Sequence, residues 1–134
     1  MNEKLQNIVD EFELLPEWLD KYNYLIELAD GLAIYPDELK TEEYLIAGCQ
    51  SRVWIKPSLD VDGKIVLQAD SDAIIVKGIA SLLVTAISGL TPQEVEAEGF
   101  EFLDTIGLKE NLSPTRAGGL VSMIEKIKAF AQSC

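Results

Sequence analysis

The sequence predicts an α+β domain in which a small antiparallel sheet of about three strands packs against helices. Three observations lead to this fold class. Apolar residues recur at helical spacing near both ends of the chain, two alternating stretches flank an Asp-Gly turn, and a very apolar stretch, residues 73–88, follows them. With 134 residues, 48% of them hydrophobic, the chain is predicted to form one domain over residues 1–134.

The first quarter of the chain has the pattern of two amphipathic helices. Residues 3–14 place their apolar side chains on one face, and Pro16 is predicted to end this helix and to be the first helical residue of the next. The second helix is predicted to end near Gly31. Its apolar stripe consists of Trp18, Tyr22, Leu25, Ile26, Ala29 and Leu32, for which core packing is the favoured interpretation. Residues 35–43 are polar and predicted to be a loop.

The strands are predicted in the next part of the chain. Residues 44–46 are a short apolar run and the candidate first strand. Residues 52–59 alternate, with Val53 and Ile55 on one face, and Pro57 indicates that this strand lies at a sheet edge. The turn at residues 60–63 returns the chain along residues 64–69, which predicts a hairpin.

The remaining elements are predicted to be helices with recognisable starts. Asp70-Ser71-Asp72 is predicted to break the strand and to cap the helix of residues 73–88, which is apolar almost all round and therefore central to the core. Within it, Gly78 is predicted to let another element approach closely. Thr91 is expected to cap a short helix, and Ser113 followed by Pro114 is expected to begin the last one.

The charge of the chain bears on its partners and location. Its formal net charge is −12, from 23 acidic and 11 basic residues, which disfavours nucleic acid and anionic membrane surfaces as partners. The excess is interpreted as a solvated surface, with an acidic docking face for a basic partner as the second interpretation. The sequence contains no stretch apolar enough to span a bilayer and no signal-peptide pattern at its start, so a cytoplasmic location is expected.

Cys49 is the candidate reactive residue. It follows Gly48 in a short polar break just before an alternating stretch, where a tight turn on a stiff base suits a reactive thiol. The alternative is a small buried cysteine without a chemical role. The chain has no histidine and one further cysteine, the terminal Cys134, interpreted as a frayed end residue. Cys–His hydrolysis is therefore excluded, and zinc or iron–sulfur ligation within this chain is disfavoured.

Three ordered blocks of the sequence resemble one known family. Gly48-Cys49-Gln50-Ser51-x-Val53-Trp54-Ile55 resembles the active-site signature of the SufE-like sulfur acceptor proteins. Asp70-Ser71-Asp72-Ala73-x-x-Val76-Lys77-Gly78 and Leu112-Ser113-Pro114-x-Arg116, followed by Gly119-Leu120, resemble the same family. The resemblance runs from about Leu5 to Phe130 and implies a SufE/IscU-like fold.

The resemblance also implies a function. Members accept persulfide sulfur from a SufS-like cysteine desulfurase, stimulate that enzyme and pass the sulfur to a SufBCD-like scaffold complex for iron–sulfur cluster assembly. Here Cys49 is the expected persulfide carrier, and the pyridoxal phosphate belongs to the desulfurase. The chain itself is expected to hold no cofactor and no metal, and neither nucleic acid nor a membrane is an expected partner.

Six residues are expected to support Cys49: Gly48, Gln50, Ser51, Arg52, Asp72 and Arg116. The resemblance implies that the cysteine rests partly tucked away and that Asp72 and Arg116 lie beside its loop. The side chains of Gln50 and Ser51 are able to form hydrogen bonds with the turned-back loop. Because a thiolate needs electropositive surroundings, we hypothesise that Arg116 pairs with Asp72 or steadies the thiolate. The simpler alternative makes Asp72 a helix cap and Arg116 part of a surface ion pair.

The sequence departs from the family pattern at two positions. Arg52 stands where glutamine is common in the family, and Asn111 stands where a histidine often precedes the third block.

Two other functions remain open. One is an iron–sulfur scaffold of similar fold, which one loop cysteine without histidine argues against. The other is an acidic adaptor with an inert cysteine, whose activities Cys49→Ser would leave intact.

Overall fold

The computed structural model describes residues 2–46 and 51–134. Within these residues the chain forms six α-helices, a two-stranded antiparallel sheet and short 3₁₀ helices at Asp37–Leu39 and Lys109–Asn111. In chain order the elements are α1 (Glu3–Glu13), α2 (Trp18–Asp30), β1 (Val53–Leu59), β2 (Ile65–Ser71), α3 (Ile74–Ile87), α4 (Pro92–Glu98), α5 (Glu101–Ile106) and α6 (Pro114–Ser133). The predicted α+β fold class is confirmed.

Helix α3 lies at the centre of the structure. It packs against α2 on one side and the β1–β2 hairpin on the other, and it also contacts α1 and α6. Most of its residues from Val76 to Ile87 are buried, which confirms the prediction made from its apolar composition. No single helix of the described chain is long and apolar enough to cross a bilayer, and α3 meets that measure only together with α4, across a bend of 110°.

Helices α2 and α3 make their closest approach at Gly78. A Cβ atom placed on Gly78 would lie 2.6 Å from the carbonyl oxygen of Leu25 and 2.8 Å from its carbonyl carbon. Such distances are far below van der Waals contact, and the atoms in question are backbone atoms that no side-chain rotation moves aside. The prediction that Gly78 permits a close approach is confirmed, and α2 is the approaching element.

The predicted hairpin and its faces are confirmed, and the structure supplies the register. Val53 pairs with Ser71 at its open end and Leu59 pairs with Ile65 next to the turn. Val53 and Ile55 are fully buried, as predicted, together with the inward residues of β2. In the turn, the Asp60 carboxylate accepts hydrogen bonds from the amides of residues 62 and 64, at 2.9 and 3.0 Å, and Gly63 adopts a φ of 77°.

The predicted first strand is reduced to a single bridge, so the described residues hold two strands rather than about three. Leu45 forms an isolated antiparallel bridge with Trp54, and the Ile55 amide donates to the Tyr44 carbonyl at 2.9 Å. The next residue of β1 that faces this edge is Pro57. Because proline has no N–H, it cannot donate the next bond of the ladder, and the chain before Tyr44 forms a turn in which the Tyr44 amide donates to the Thr41 carbonyl at 3.2 Å. The prediction that Pro57 marks a sheet edge is confirmed.

Two predicted helix starts are wrong and two are confirmed. Helix α2 begins at Trp18 after the extended Glu17, so Pro16 is not its first residue. The N-cap of α3 is Ala73 without a side-chain cap. The Asp72 carboxylate binds the Arg52 amide, and the Ser71 hydroxyl accepts from the Ala73 amide at 3.2 Å rather than from an amide in the first turn of the helix. Thr91 forms a capping box at the start of α4, and Ser113 caps α6, whose first residue is Pro114.

We predict that Gly78→Ala destabilises the protein by about 1–3 kcal/mol, because the new methyl group overpacks the α2–α3 contact. Gly118→Ala is the matched control. Gly118 lies inside α6 with nothing within 4 Å of an added Cβ, so the same change there is expected to stabilise the protein by about 0.5–1 kcal/mol. Urea unfolding of both variants measures the difference, and equal effects at the two positions would contradict the close packing.

We also predict that stability falls as the pH rises above 10. Burial raises the pKa of Tyr24 to about 12, with the hydrogen bond to the Glu11 carboxylate adding to it, and burial raises the pKa of Tyr35 to about 12. Because the fold favours the neutral phenols, their contribution is complete below pH 10 and is lost between pH 10 and about 12. Urea unfolding at several alkaline pH values is expected to show a shallower decline for Tyr24→Phe/Tyr35→Phe than for wild type.

Candidate functional site

The candidate site lies at the open end of the hairpin. Cys49, Gly48 and Gln50 belong to residues 47–50, which lie outside the described residues, so their predicted roles stay predictions. The flanking residues are placed at this end of the molecule. Ile46 donates its amide to the Val53 carbonyl at 2.8 Å, and Ser51 lies two residues before the start of β1.

A groove of about 320 Å³ lies beside Ser51, between α3 and the start of α6. Its apolar part is formed by side chains from both helices that are almost fully buried. Its polar part comes from Ser51 and the first residues of α6. The residues that line it are Ser51, Val76, Ile79, Ser113, Thr115, Arg116, Gly119 and Met123. The groove therefore combines an apolar floor with a polar rim.

The start of α6 gives the rim its positive charge. The Ser113 side chain accepts a hydrogen bond from the Arg116 amide at 3.3 Å, which fixes the first turn of the helix. The Arg116 side chain is exposed, and within the described residues its guanidinium makes no hydrogen bond or ion pair. Because a helix N-terminus also carries partial positive charge, two contributions of the same sign meet at this rim and favour an anion.

Asp72 is bound to Arg52 rather than to Arg116. Its carboxylate accepts from the Arg52 amide at 3.0 Å, and its own amide donates to the Arg52 carbonyl at 3.2 Å. The Ser71 hydroxyl donates to that same carbonyl at 2.8 Å. The backbone of Arg52 is thus held at both its amide and its carbonyl by residues 71 and 72, three residues after Cys49.

These contacts test the hypothesis that Arg116 pairs with Asp72 or steadies the Cys49 thiolate. Among the described residues no ion pair joins Arg116 to Asp72, so that half of the hypothesis is wrong, and the steadying of the thiolate by Arg116 stays a prediction. The simpler alternative fails as well in its two parts. Asp72 does not cap α3, and Arg116 has no ion-pair partner in the part of the chain that the structure describes.

A third group of contacts anchors the segment that leads into residue 47. We call residues 36–46 the arm. Lys40 of the arm pairs with Asp70 of β2 at 3.3 Å and with Asp37 at 3.4 Å, and its ammonium lies 5.5 Å from the Trp54 ring centroid. Hydrogen bonding to Asp70, and then to Asp37, raises the pKa of Lys40. Lys77 of α3 pairs with the same Asp70 at 3.5 Å.

The other side of the arm is bound to α6. The Lys126 ammonium donates to the Glu43 carbonyl at 2.8 Å and lies 5.9 Å from the centroid of the Tyr44 ring. Neither this contact nor the Lys40–Asp70 pair was found by sequence reasoning. The partners are far apart in the chain, and no local pattern marks them.

Sequence reasoning also missed the apolar floor of the groove. Val76 lies in the stretch that was predicted to be central to the core from its apolar composition, and it is buried as expected. Val76 and the buried Met123 also face the space beside Ser51. Val76 belongs to the second block of the resemblance and Gly119 to the third, and these were the available signals. Within residues 2–46 and 51–134, no group of three or more His, Cys, Asp or Glu side chains is placed to hold a metal ion.

Comparison with known proteins places these features in a family. The model of the family described as "SufE: Fe-S metabolism associated domain" matches residues 6–131. An uncharacterised SufE-like protein of Rhizobium etli is 39% identical over 132 residues, covering 96% of this chain and 89% of the relative. A second, of Rhizobium meliloti strain 1021, is 36% identical and covers 96% and 94% of the two chains.

A solved structure has the same fold. The solution structure of a hypothetical protein from Thermus thermophilus superposes with a TM-score of 0.80 at 26% identity, covering 97% of this chain and 94% of that one. The family match and the curated relatives both extend over nearly the whole chain. This chain therefore belongs to the SufE family, and its role lies in Fe–S metabolism.

Proposed function

We propose that the chain accepts sulfur on Cys49 from the persulfide of a SufS-like cysteine desulfurase, stimulates that enzyme and relays the sulfur to a SufBCD-like scaffold complex. Pyridoxal phosphate stays in the desulfurase, so this chain needs no cofactor of its own, and the reaction takes place in the cytoplasm. The observation that carries the proposal is the groove shared by Ser51 and Arg116, whose positively charged rim includes a residue two positions along the chain from Cys49.

The proposed transfer balances without an oxidant or reductant. The Cys49 thiolate attacks the outer sulfur of the desulfurase persulfide, a new S–S bond forms, and the original S–S bond breaks. The desulfurase cysteine leaves as a thiolate, and the proton of the outer sulfur is shared with solvent. Neither an imidazole nor a metal is needed, which suits a chain without histidine. The requirement that remains is a thiol with sufficient thiolate character.

The described residues support such a thiolate in two ways. The Arg116 guanidinium and the N-terminus of α6 supply positive charge at the groove, and none of the described residues that line it is a carboxylate. The bonds from Asp72 and Ser71 to the Arg52 backbone give the chain a fixed point three residues after the cysteine. The positive charge and these bonds together support a reactive Cys49 thiolate whose chain is anchored on its C-terminal side by the hairpin.

We predict that incubation with a cysteine desulfurase and free cysteine adds one or more sulfur atoms to Cys49, because its thiolate takes the outer persulfide sulfur. Intact mass spectrometry before and after reductant measures the gain. Wild type and Cys134→Ser are expected to gain sulfur that reductant removes, and Cys49→Ser is expected to gain none. The Cys134→Ser variant is the matched control because it removes the other thiol of the chain.

Two results of this experiment would contradict the proposal. Sulfur on Cys49→Ser but not on Cys134→Ser would make Cys134 the carrier. No gain of sulfur on any variant, with several desulfurases, would favour an acidic adaptor with an inert cysteine.

We predict that Arg116→Gln raises the pKa of the Cys49 thiol by about 0.3–0.7 units, equivalent to roughly 0.5–1 kcal/mol, because a nearby positive charge is lost. The rate of alkylation by iodoacetamide against pH, in the Cys134→Ser background, measures the midpoint. Arg116→Lys is expected to keep most of the wild-type value. Lys128→Gln, which removes the same charge further along α6, is the control, and an equal shift in both variants would refute a specific role for Arg116.

A further inference from the structure

The arm is held to the hairpin by very little backbone pairing. The described residues show the Ile46 amide bonded to the Val53 carbonyl and the Ile55 amide bonded to the Tyr44 carbonyl. Pro57 prevents a further bond of this kind beyond Tyr44. An isolated pair of backbone bonds at a sheet edge is weakly protected against opening. The position of the arm therefore depends on its side-chain anchors.

Asp70 is the charged anchor of the arm on the hairpin. Its side chain is only 19% exposed, and its two oxygens divide between two lysines from different elements. One oxygen meets Lys40 of the arm at 3.3 Å, and the other meets Lys77 of α3 at 3.5 Å. Asp70 lies opposite Trp54 in the strand register, and the Lys40 ammonium sits over the Trp54 ring. Lys40 thus contacts both members of one cross-strand pair.

We propose that the Lys40–Asp70 pair is a latch that holds the arm on the hairpin and thereby positions the Cys49 segment for sulfur transfer. The inference rests on the proposed function, and it makes Lys40 and Asp70 positioning residues for that reaction. The arm ends at Ile46, three residues before Cys49, and no other residue of the arm pairs with a carboxylate outside it in the described chain. Release of Lys40 leaves the two backbone bonds, Lys126, the Tyr35 hydroxyl that donates to the Leu39 carbonyl at 2.8 Å and the buried side chain of Ile46 to hold the arm.

The structure offers a matched control for this latch. Lys77→Met removes the other lysine from Asp70 while the arm keeps its own contact. Lys40→Met removes the latch, and Asp70→Asn removes the charge of its other member. Lys40→Arg keeps a positive charge on a side chain of similar length. All variants carry Cys134→Ser, so that Cys49 is the one thiol that reacts.

Two measurements test the latch. Amide hydrogen exchange at Ile46 and Ile55 reports on opening of the arm, and we expect about two- to fivefold faster exchange in Lys40→Met, the range that follows from an ion pair near the surface. The second is the alkylation rate of Cys49 by neutral iodoacetamide, followed to high pH until it reaches a plateau. The plateau reports mainly access to the thiolate, and the midpoint reports its pKa. A purely electrostatic effect of Lys40 would move the midpoint and change the plateau by less than about twofold, because thiolate nucleophilicity depends only weakly on pKa.

The expected result is a plateau about two- to fivefold higher in Lys40→Met and Asp70→Asn, with no larger effect in the double variant. Lys40→Arg and Lys77→Met are expected to match wild type. Unchanged exchange, an unchanged or lower plateau, or an equal effect of Lys77→Met would overturn the latch.

The latch and the proposed function fail separately. If Cys49 gains no sulfur while Lys40→Met speeds both exchange and alkylation, sulfur transfer is refuted and the latch stands as a structural device. If Cys49 gains sulfur normally while exchange and alkylation are unchanged in Lys40→Met, the latch is refuted and sulfur transfer stands.

Discussion

The contact between α2 and α3 at Gly78 is the constraint on which the position of the site depends. Here the backbone of α2 approaches to a distance that excludes any side chain at residue 78. Ile79, the next residue, forms part of the floor of the groove, and Val76 two residues earlier forms another part. Because α3 also covers the hairpin, the same helix fixes the groove and the strand that follows Cys49. The packing of α3 in the core therefore also sets the geometry of the site.

The site differs from the rest of the protein in charge. The chain carries a net charge of −12, yet both of its arginines, Arg52 and Arg116, lie at the open end of the hairpin or on the rim of the groove. The first two helices are rich in carboxylates and lie elsewhere in the fold. A strongly acidic protein can therefore still present a local environment that favours an anion, because short-range contributions at a site are less screened than the distant surface charge.

Much of the fold was predictable because its signals are local. The Asp-Gly turn, the caps Thr91 and Ser113 and the very apolar α3 each depend on residues within a few positions of one another. The prediction for Gly78 also succeeded, since a glycine inside an otherwise apolar, buried helix is costly unless a neighbour needs the space. The third strand was predicted but is reduced to a single bridge. The effect of Pro57 depends on which side of β1 lacks the N–H donor, and the sequence does not show which side faces residues 44–46.

The contacts of the site were less predictable because they depend on register. Asp72 was expected at the start of α3 or beside Arg116, but its carboxylate reaches the Arg52 amide, and only the pairing of Val53 with Ser71 brings these groups together. The Lys40–Asp70 pair joins residues thirty positions apart and leaves no periodic trace in the sequence. Ser51 and Arg116 were singled out by resemblance, and the structure places both on one groove.

The most direct test of sulfur transfer to Cys49 is a single-turnover reaction with a desulfurase preloaded with radiolabelled persulfide sulfur, in the absence of free cysteine. Non-reducing digestion after rapid quenching locates the label. If Cys49 is the persulfide carrier, the label leaves the desulfurase and appears on the peptide that contains Cys49. Label that remains on the desulfurase, or that appears on the C-terminal peptide with Cys134, would contradict this role of Cys49.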